Sequence, residues 1–163
     1  MPLIVENGTG VPDANSFATL EQARSFATDR GVTLPADGTL TAYLVKATDY
    51  LKSLSYQGTK KHAGEEYLPW PRTGLTLDDE DFADTVIPRD ILNAACQLCI
   101  EQFNGVELAP TATGAAVKRE KVGPLETEYA GSSRPTAPRM PLVDAYLAGW
   151  VVARGMRLSV GRA

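Results

Sequence analysis

Two long apolar stripes at helical spacing constrain the fold more than any other feature of this 163-residue chain. In each stripe the apolar side chains recur three and four positions apart, which places them on one face of a helix. The first stripe comprises Leu40, Tyr43, Leu44, Ala47, Leu51 and Leu54, and the second comprises Ile91, Leu92, Ala95, Leu98, Cys99 and Phe103. Such faces are stable only when they pack on each other, so the stripes predict two helices in one core.

Two further helices are predicted from their end signals. Thr19 is a predicted N-cap, and Gln22 completes a capping box with it. Gly31 is typical of the position just after a helix C-terminus. Pro88 and Pro141 suit the first position of a helix, where the missing N–H costs nothing. The chain therefore holds enough helices for a small bundle.

A β-hairpin is predicted near residues 117–129, where partial alternation surrounds Gly123-Pro124. Its first strand is basic and its second is acidic, which is favourable across a ladder. The predicted fold is mainly α, a small helical bundle of about four helices with this hairpin and with extended N- and C-terminal arms. We divide the chain into an N-terminal arm at residues 1–16, a helical body at 17–130, and a linker, last helix and basic C-terminal tail at 131–163.

The charge of the chain is divided unevenly. Residues 1–117 carry 8 basic and 16 acidic side chains, whereas residues 118–163 carry 8 basic and 4 acidic ones. Opposite potentials suit a protein that stacks on another copy or on a charged partner, although an accident of composition would give the same split. The apolar runs are too short to cross a bilayer, and the start of the chain lacks the pattern of a signal peptide. We therefore expect no membrane partner and synthesis in the cytoplasm.

Reactive groups are few. His62 is the only histidine, lies in a polar loop, and is expected to be solvated. Cys96 and Cys99 lie in the middle of a predicted helix; a zinc site would need two more ligands and a redox pair should follow a strand, so core packing is favoured. The acidic run at residues 78–84 lacks the spacing of a calcium loop and is expected to be a solvated face rather than a cation site. The sequence predicts no enzyme, no cofactor and no metal.

Candidate partner contacts are of two kinds. Trp70 lies between two prolines, and a Trp held in this way is either a lid on the core or an anchor at an interface. The other candidates are basic, and the full predicted set is Lys118, Arg119, Lys121, Trp70, Arg154, Arg157, Leu158 and Arg162. Binders of single strands combine basic grooves with stacking aromatics. Aromatic residues make up only 7% of this acidic chain, so a solvated hairpin is the alternative for the basic cluster.

Several short segments resemble, in the same order, a phage family labelled DnaT-like single-stranded-DNA-binding proteins. The segments are Val5-Glu6-Asn7-Gly8-Thr9-Gly10, Asp13-Ala14-Asn15-Ser16, Ala47-Thr48-Asp49-Tyr50-Leu51, Trp70-Pro71-Arg72-Thr73-Gly74, Ile87-Pro88, Val117-Lys118-Arg119-Glu120-Lys121-Val122-Gly123-Pro124 and Glu128-Tyr129. The resemblance spans about residues 5–130 and is loose beyond Ser132.

Members of this family resemble the head–tail connector, or adaptor, proteins of long-tailed bacteriophages. The resemblance implies a homo-oligomeric ring, commonly of about twelve copies, that joins capsid to tail under the portal and continues the DNA channel. The implied partners are the portal protein, the next neck or tail-completion protein, and double-stranded genomic DNA that passes without sequence-specific binding. The implied location is the virion neck, and no active site is implied. The alternative is a DnaT-like single-stranded-DNA-binding accessory protein, which would rest on the basic hairpin and tail residues.

Overall fold

Helices dominate the computed structural model, which describes residues 2–77, 80–108, 119–122, 125–128 and 140–152. The described helices are α1 (Leu20–Thr28), α2 (Asp37–Lys52), α3 (Arg89–Phe103) and α4 (Pro141–Leu147). The described strands are β1 (Thr59–Lys60), β2 (Arg72–Thr73), β3 (Thr76–Leu77), β4 (Glu80–Asp81), β5 (Arg119–Val122) and β6 (Leu125–Glu128), which pair antiparallel in consecutive twos. The predicted fold, a helix-dominated protein of about four helices with a hairpin, is confirmed. No helix in these ranges is both long and apolar enough to span a membrane.

The start of α1 has the predicted capping box. The backbone N–H of Gln22 donates to Thr19 Oγ1 (3.1 Å), and the backbone N–H of Thr19 donates to Gln22 Oε1 (2.8 Å). These two bonds satisfy donors that a helix N-terminus otherwise leaves without partners. Gly31 follows the helix with a φ of 71°, a left-handed conformation that glycine adopts without strain. The sequence signals at both ends of α1 are therefore real structural features.

Helix α3 lies at the centre of the core and packs against α1, α2 and α4. The predicted stripes form its contact faces: Leu40, Leu44 and Leu51 of α2 and Ile91 and Leu98 of α3 are fully buried. Burying a large aliphatic side chain stabilises the fold by roughly 1.5–3 kcal/mol, so these two faces hold the bundle together. One member of the predicted stripe differs: Phe103 is the last residue of α3 and is 45% exposed.

The end of α4 is tied to the segment that follows α2. Tyr56 and Val151 form an isolated antiparallel bridge. The backbone N–H of Gln57 donates to the Trp150 carbonyl (2.9 Å), and that of Val152 donates to the Ser55 carbonyl (2.8 Å). Residues 150–152 are therefore held beside residues 55–57.

The N-terminal segment, predicted as an extended arm, contains no helix and lies against the body. Val5 bridges Ser16, and the Asn15 side chain accepts a hydrogen bond from the backbone N–H of Ile4 (2.8 Å). Ala14 and Ser16 are buried. The segment therefore folds back on itself, and the backbone N–H of Asp13 ties it to the body by donating to the Glu66 carbonyl (2.9 Å), which its Gly- and Asn-rich sequence does not reveal.

Candidate interaction surfaces

Trp70 belongs to the core. Its side chain is fully buried, and its ring makes T-shaped contacts with Tyr56 (centroids 5.6 Å apart) and Trp150 (5.7 Å). Phe82 packs on the Trp150 ring at 5.1 Å, and Trp150 Nε1 donates to Asp90 Oδ2 (3.0 Å). Such aromatic contacts each stabilise by about 0.5–1.5 kcal/mol beyond the buried area. Of the two predicted roles, the structure supports the core one, because Trp70 has no exposed surface to offer a partner.

Arg72, close to Trp70 in sequence, binds backbone rather than solvent. Its guanidinium donates to the carbonyls of Gln57 (2.6 Å), Gly58 (2.7 Å), Pro69 (3.1 Å) and Tyr56 (3.3 Å). Desolvation lowers the pKa of Arg72 from its ordinary value. This arginine therefore fixes the loop around it. In the sequence, Arg72 stands out only as part of a resembling segment.

Two lysines next to β1 are also engaged by the chain. Lys60 Nζ donates to the carbonyls of Gly64 (2.6 Å) and Tyr67 (2.7 Å), and desolvation together with neighbouring cations lowers its pKa. Lys61 Nζ forms an ion pair with Asp84 Oδ1 (3.0 Å). Their ammonium groups therefore hold the loop before β2 in place.

A buried carboxylate organises the N-terminal loop. Glu6 is 2% exposed, and its carboxylate accepts hydrogen bonds from the backbone N–H groups of Gly8 (2.8 Å), Gly10 (2.9 Å) and Val11 (2.7 Å). Both glycines have left-handed φ angles, of 97° and 80°. A side chain at Gly10 would also collide with the ring of His62. Glycines at these two positions are thus required by the turn and by close packing.

His62 was expected to be solvated, and this prediction is wrong. Its ring packs against Gly10 and lies near the ring of Tyr67, with centroids 5.2 Å apart. Its Nε2 atom is buried and has no hydrogen-bond partner within the described residues. The polar loop in which it lies folds onto the N-terminal segment, a tertiary contact that local composition does not signal.

The two cysteines are packed in α3. Burial raises the pKa of the Cys96 thiol to about 12 and that of Cys99 also above its ordinary value. Since the thiolate is the reactive and metal-binding form, burial disfavours that form of both cysteines at neutral pH. Within the described ranges no group of three or more His, Cys, Asp and Glu side chains could hold a metal ion. Part of the acidic run, residues 78–79, lies outside the described residues.

The hairpin has the register that matches its charges. Arg119 stands opposite Glu128, and Lys121 stands opposite Glu126. Directly opposite residues share one face of an antiparallel pair, with Cβ atoms about 4.5–5.5 Å apart, so opposite charges there attract. The predicted basic-against-acidic pairing is confirmed in the backbone register. The remaining predicted contact residues, which lie outside the described part of the chain, are Lys118, Arg154, Arg157, Leu158 and Arg162.

Two mostly apolar grooves flank the outer side of α2. The α2–α3 groove lies between one side of α2, from Tyr43 to Ser53 just beyond the helix end, and residues 105–108 after α3, and has a volume of about 560 Å³. The α2–α4 groove lies between the end of α2 and residues 144–152, and has a volume of about 430 Å³. Tyr50 lines both grooves. In the sequence, Tyr50 stands at the border of the apolar stripe, and nothing there signals a groove on either side.

Comparison with known families gives one match. The model of a family described as "Putative DnaT-like ssDNA binding protein" matches residues 1–163. The chain belongs to this DnaT-like family. No curated protein and no solved structure matches it.

Membership in the DnaT-like family confirms the resemblance seen over residues 5–130 and extends it to the C-terminus. Several features of the structure explain segments on which that resemblance was based. Glu6, Gly8 and Gly10 form the carboxylate-bound loop, and Trp70 and Arg72 form the core and backbone contacts described above. The family description names single-stranded DNA and contains no statement about phage connectors.

Proposed function

We propose that the chain is a structural head–tail connector subunit of a tailed bacteriophage, which forms a ring under the portal, joins capsid to tail and continues the DNA channel. The observation that carries this proposal is that several cations among the described residues are engaged by oxygen atoms of the same chain. Arg72 and Lys60 bind backbone carbonyls, and Lys61 pairs with Asp84. A surface that grips DNA keeps its cations for phosphate.

The hairpin leads to the same conclusion. Its cations at positions 119 and 121 stand opposite Glu128 and Glu126. Phosphate would have to compete with a carboxylate at each of these positions, which weakens binding to a nucleic acid. A hairpin whose cations stand opposite acidic residues is better suited to pairing with another protein chain, where alternate charges set the register.

The body and its grooves favour a protein partner over a phosphate backbone. Residues 1–117 carry 16 acidic and 8 basic side chains, so this part of the chain repels DNA. Acidic side chains that face the lumen of a ring repel the phosphates of DNA, so that DNA passes without adhering. The two unlike grooves beside α2 offer apolar surface for head-to-tail contacts, the kind from which closed rings are built.

Phage assembly tests the connector proposal. We expect the protein to copurify with virions, in mass spectrometry, at a copy number that fits a ring. Deleting residues 154–163 is expected to yield filled heads and separate tails by electron microscopy, because the tail supplies docking contacts. The matched control is Glu65→Gln, a change at an exposed loop position that should leave the yield of plaques unchanged. Full infectivity of the deletion phage, or absence of the protein from virions, would contradict the proposal.

Single-stranded-DNA binding is the second candidate, and the family description favours it. It would rest on Lys118, Arg119 and Lys121 with the tail arginines. Fluorescence anisotropy of a labelled oligo-dT, titrated with the full chain at several salt concentrations, separates the two functions. Tight binding whose logarithm falls steeply with the logarithm of salt supports the second candidate. Lack of binding at moderate salt supports the connector.

The hairpin register supplies a matched variant for the DNA titration. Replacing Glu126 and Glu128 by glutamine removes the carboxylates opposite Lys121 and Arg119. If the hairpin binds single strands, the variant binds more tightly, and its salt slope steepens by about 0.7 for each further phosphate that a cation neutralises. Replacing Lys121 by glutamine should have the opposite effect. The wild-type titration decides between the functions, and these variants locate the surface that binds the strand.

A further inference from the structure

The two grooves beside α2 form one surface along that helix. Tyr43 and Tyr50 are seven positions apart, so they lie on one face, about 10 Å apart along the axis. Tyr43 lines the α2–α3 groove, Leu54 lines the α2–α4 groove, and Tyr50 lines both. An extended segment lying along α2 could therefore contact both grooves at once.

This surface is acidic as well as apolar. Asp49 and Glu107 line the α2–α3 groove and Asp144 lines the α2–α4 groove, against one cation, Lys46. None of these three carboxylates is in an ion pair with a described residue. A segment that combines apolar side chains with spaced positive charges is complementary to this surface.

The C-terminal segment of the chain has this composition. Residues 153–163 contain three arginines and no acidic residue, with apolar side chains between the arginines. The arginines are Arg154, Arg157 and Arg162, and the apolar side chains are Met156, Leu158 and Val160. We infer that, in the free subunit before assembly, residues 153–163 dock on their own body, along α2, in the two grooves that Tyr50 lines.

The position at which the described chain ends supports this occupant. Val151 and Val152 themselves line the α2–α4 groove, so the described chain ends at its rim. Eleven extended residues reach up to about 36 Å, whereas α2 rises only about 14 Å from Tyr43 to its last residue, Lys52. A segment tethered at the rim has an effective concentration in the millimolar range, far above that of a separate chain in dilute solution. The same carboxylates disfavour single-stranded DNA as the occupant.

Hydrogen exchange of the full-length protein, followed by mass spectrometry, tests this inference without a phage and without the connector proposal. We expect backbone amides of residues 153–163 to exchange about tenfold more slowly than an unstructured peptide, at every protein concentration. The variant Arg154→Glu/Arg157→Glu is expected to lose this protection. The matched control, Arg134→Glu/Arg139→Glu, makes the same change of charge outside the segment and should keep it. Circular dichroism checks that every variant is folded.

A charge exchange identifies the groove. Adding Asp49→Arg/Asp144→Arg to the Arg154→Glu/Arg157→Glu variant should restore the protection, because the attraction is rebuilt with opposite signs. Unprotected amides at 153–163 in the wild type would overturn the inference. Protection that rises with protein concentration would also overturn it, since the occupant would then be the tail of a second copy. Persistent protection in the Arg154→Glu/Arg157→Glu variant would show that the grooves do not attract the arginines.

Discussion

Replacing Glu6 by glutamine tests how the N-terminal loop is held. Three backbone N–H groups donate to the Glu6 carboxylate, which is 2% exposed. Glutamine keeps one acceptor oxygen and presents an NH₂ group at the other position. At least one N–H among residues 8, 10 and 11 therefore loses its acceptor and faces another donor. A hydrogen bond to a charged group stabilises by about 1.5–3 kcal/mol, so we expect the free energy of unfolding to fall by about 2–4 kcal/mol.

Urea unfolding at pH 7 measures this loss, with the slope m expected to be unchanged. The loop lies near the N-terminus, so it could also detach while the rest of the protein stays folded. The loss in the free energy of unfolding could then not exceed the free energy with which the loop docks. Hydrogen exchange of the segment that contains residues 4–16 detects that case as faster exchange confined to the segment. The matched control is Glu65→Gln, the same chemical change at an exposed loop position, where a loss within about 0.5 kcal/mol is expected.

One result would refute the reasoning about Glu6. If Glu6→Gln lowered stability by less than about 0.5 kcal/mol and left the exchange of Gly8, Gly10 and Val11 unchanged, the carboxylate would not be what orders the loop. The left-handed glycines and the contact with His62 would then have to hold it without help.

Three further predictions follow from the described contacts. Burial holds the pKa of Cys96 at about 12 and raises that of Cys99, whereas unfolded thiols ionise near 9. The thiol contribution to stability is thus full below pH 9 and is lost as the pH rises toward 12. Between pH 7 and pH 10 the wild type should lose about 2–3 kcal/mol more than Cys96→Ala/Cys99→Ala in urea titrations, and equal losses would contradict this. Arg72→Lys should lower the free energy of unfolding by about 2–3 kcal/mol, because one ammonium cannot bind four carbonyls. A thermal scan measures this loss. No change in Tm would mean that water replaces the guanidinium. Thr19→Ala should cost about 1 kcal/mol in the same assay through loss of the cap of α1; stability equal to wild type would show that the capping box is dispensable.

The helical part of the fold was predictable because its signals are local. The apolar stripes of α2 and α3 repeat at the helical period, and the capping box at Thr19 needs only residues three apart. The hairpin was also predictable, since its charge pattern and turn are close in sequence, and the register places the basic strand against the acidic one as expected, with Arg119 opposite Glu128. In each of these elements, the residues that decide the structure are close in sequence.

The contacts that shape the surface were not predictable, because they join distant segments. Nothing local to Lys60-Lys61-His62 shows that the loop packs on Gly10, fifty residues earlier. Arg72 is an ordinary turn residue by sequence, and only the fold brings the carbonyls of residues 56–58 around it. The two grooves depend on where the chain passes after α3 and α4, which no periodicity encodes.

The choice between the two candidate functions depends on whether the charges are only counted or are considered together with their partners. By count, the C-terminal part of the chain, with 8 basic and 4 acidic side chains, resembles a nucleic-acid-binding surface. By partner, Arg119 and Lys121 stand opposite Glu128 and Glu126 in the backbone register, and Arg72 and Lys60 donate to backbone carbonyls. A cation already matched with oxygen adds little to phosphate binding, because binding then exchanges one contact for another. The same pairing is useful between protein subunits, where it fixes register without strong general attraction. The connector proposal rests on this register and on these backbone contacts, whereas the family description favours strand binding.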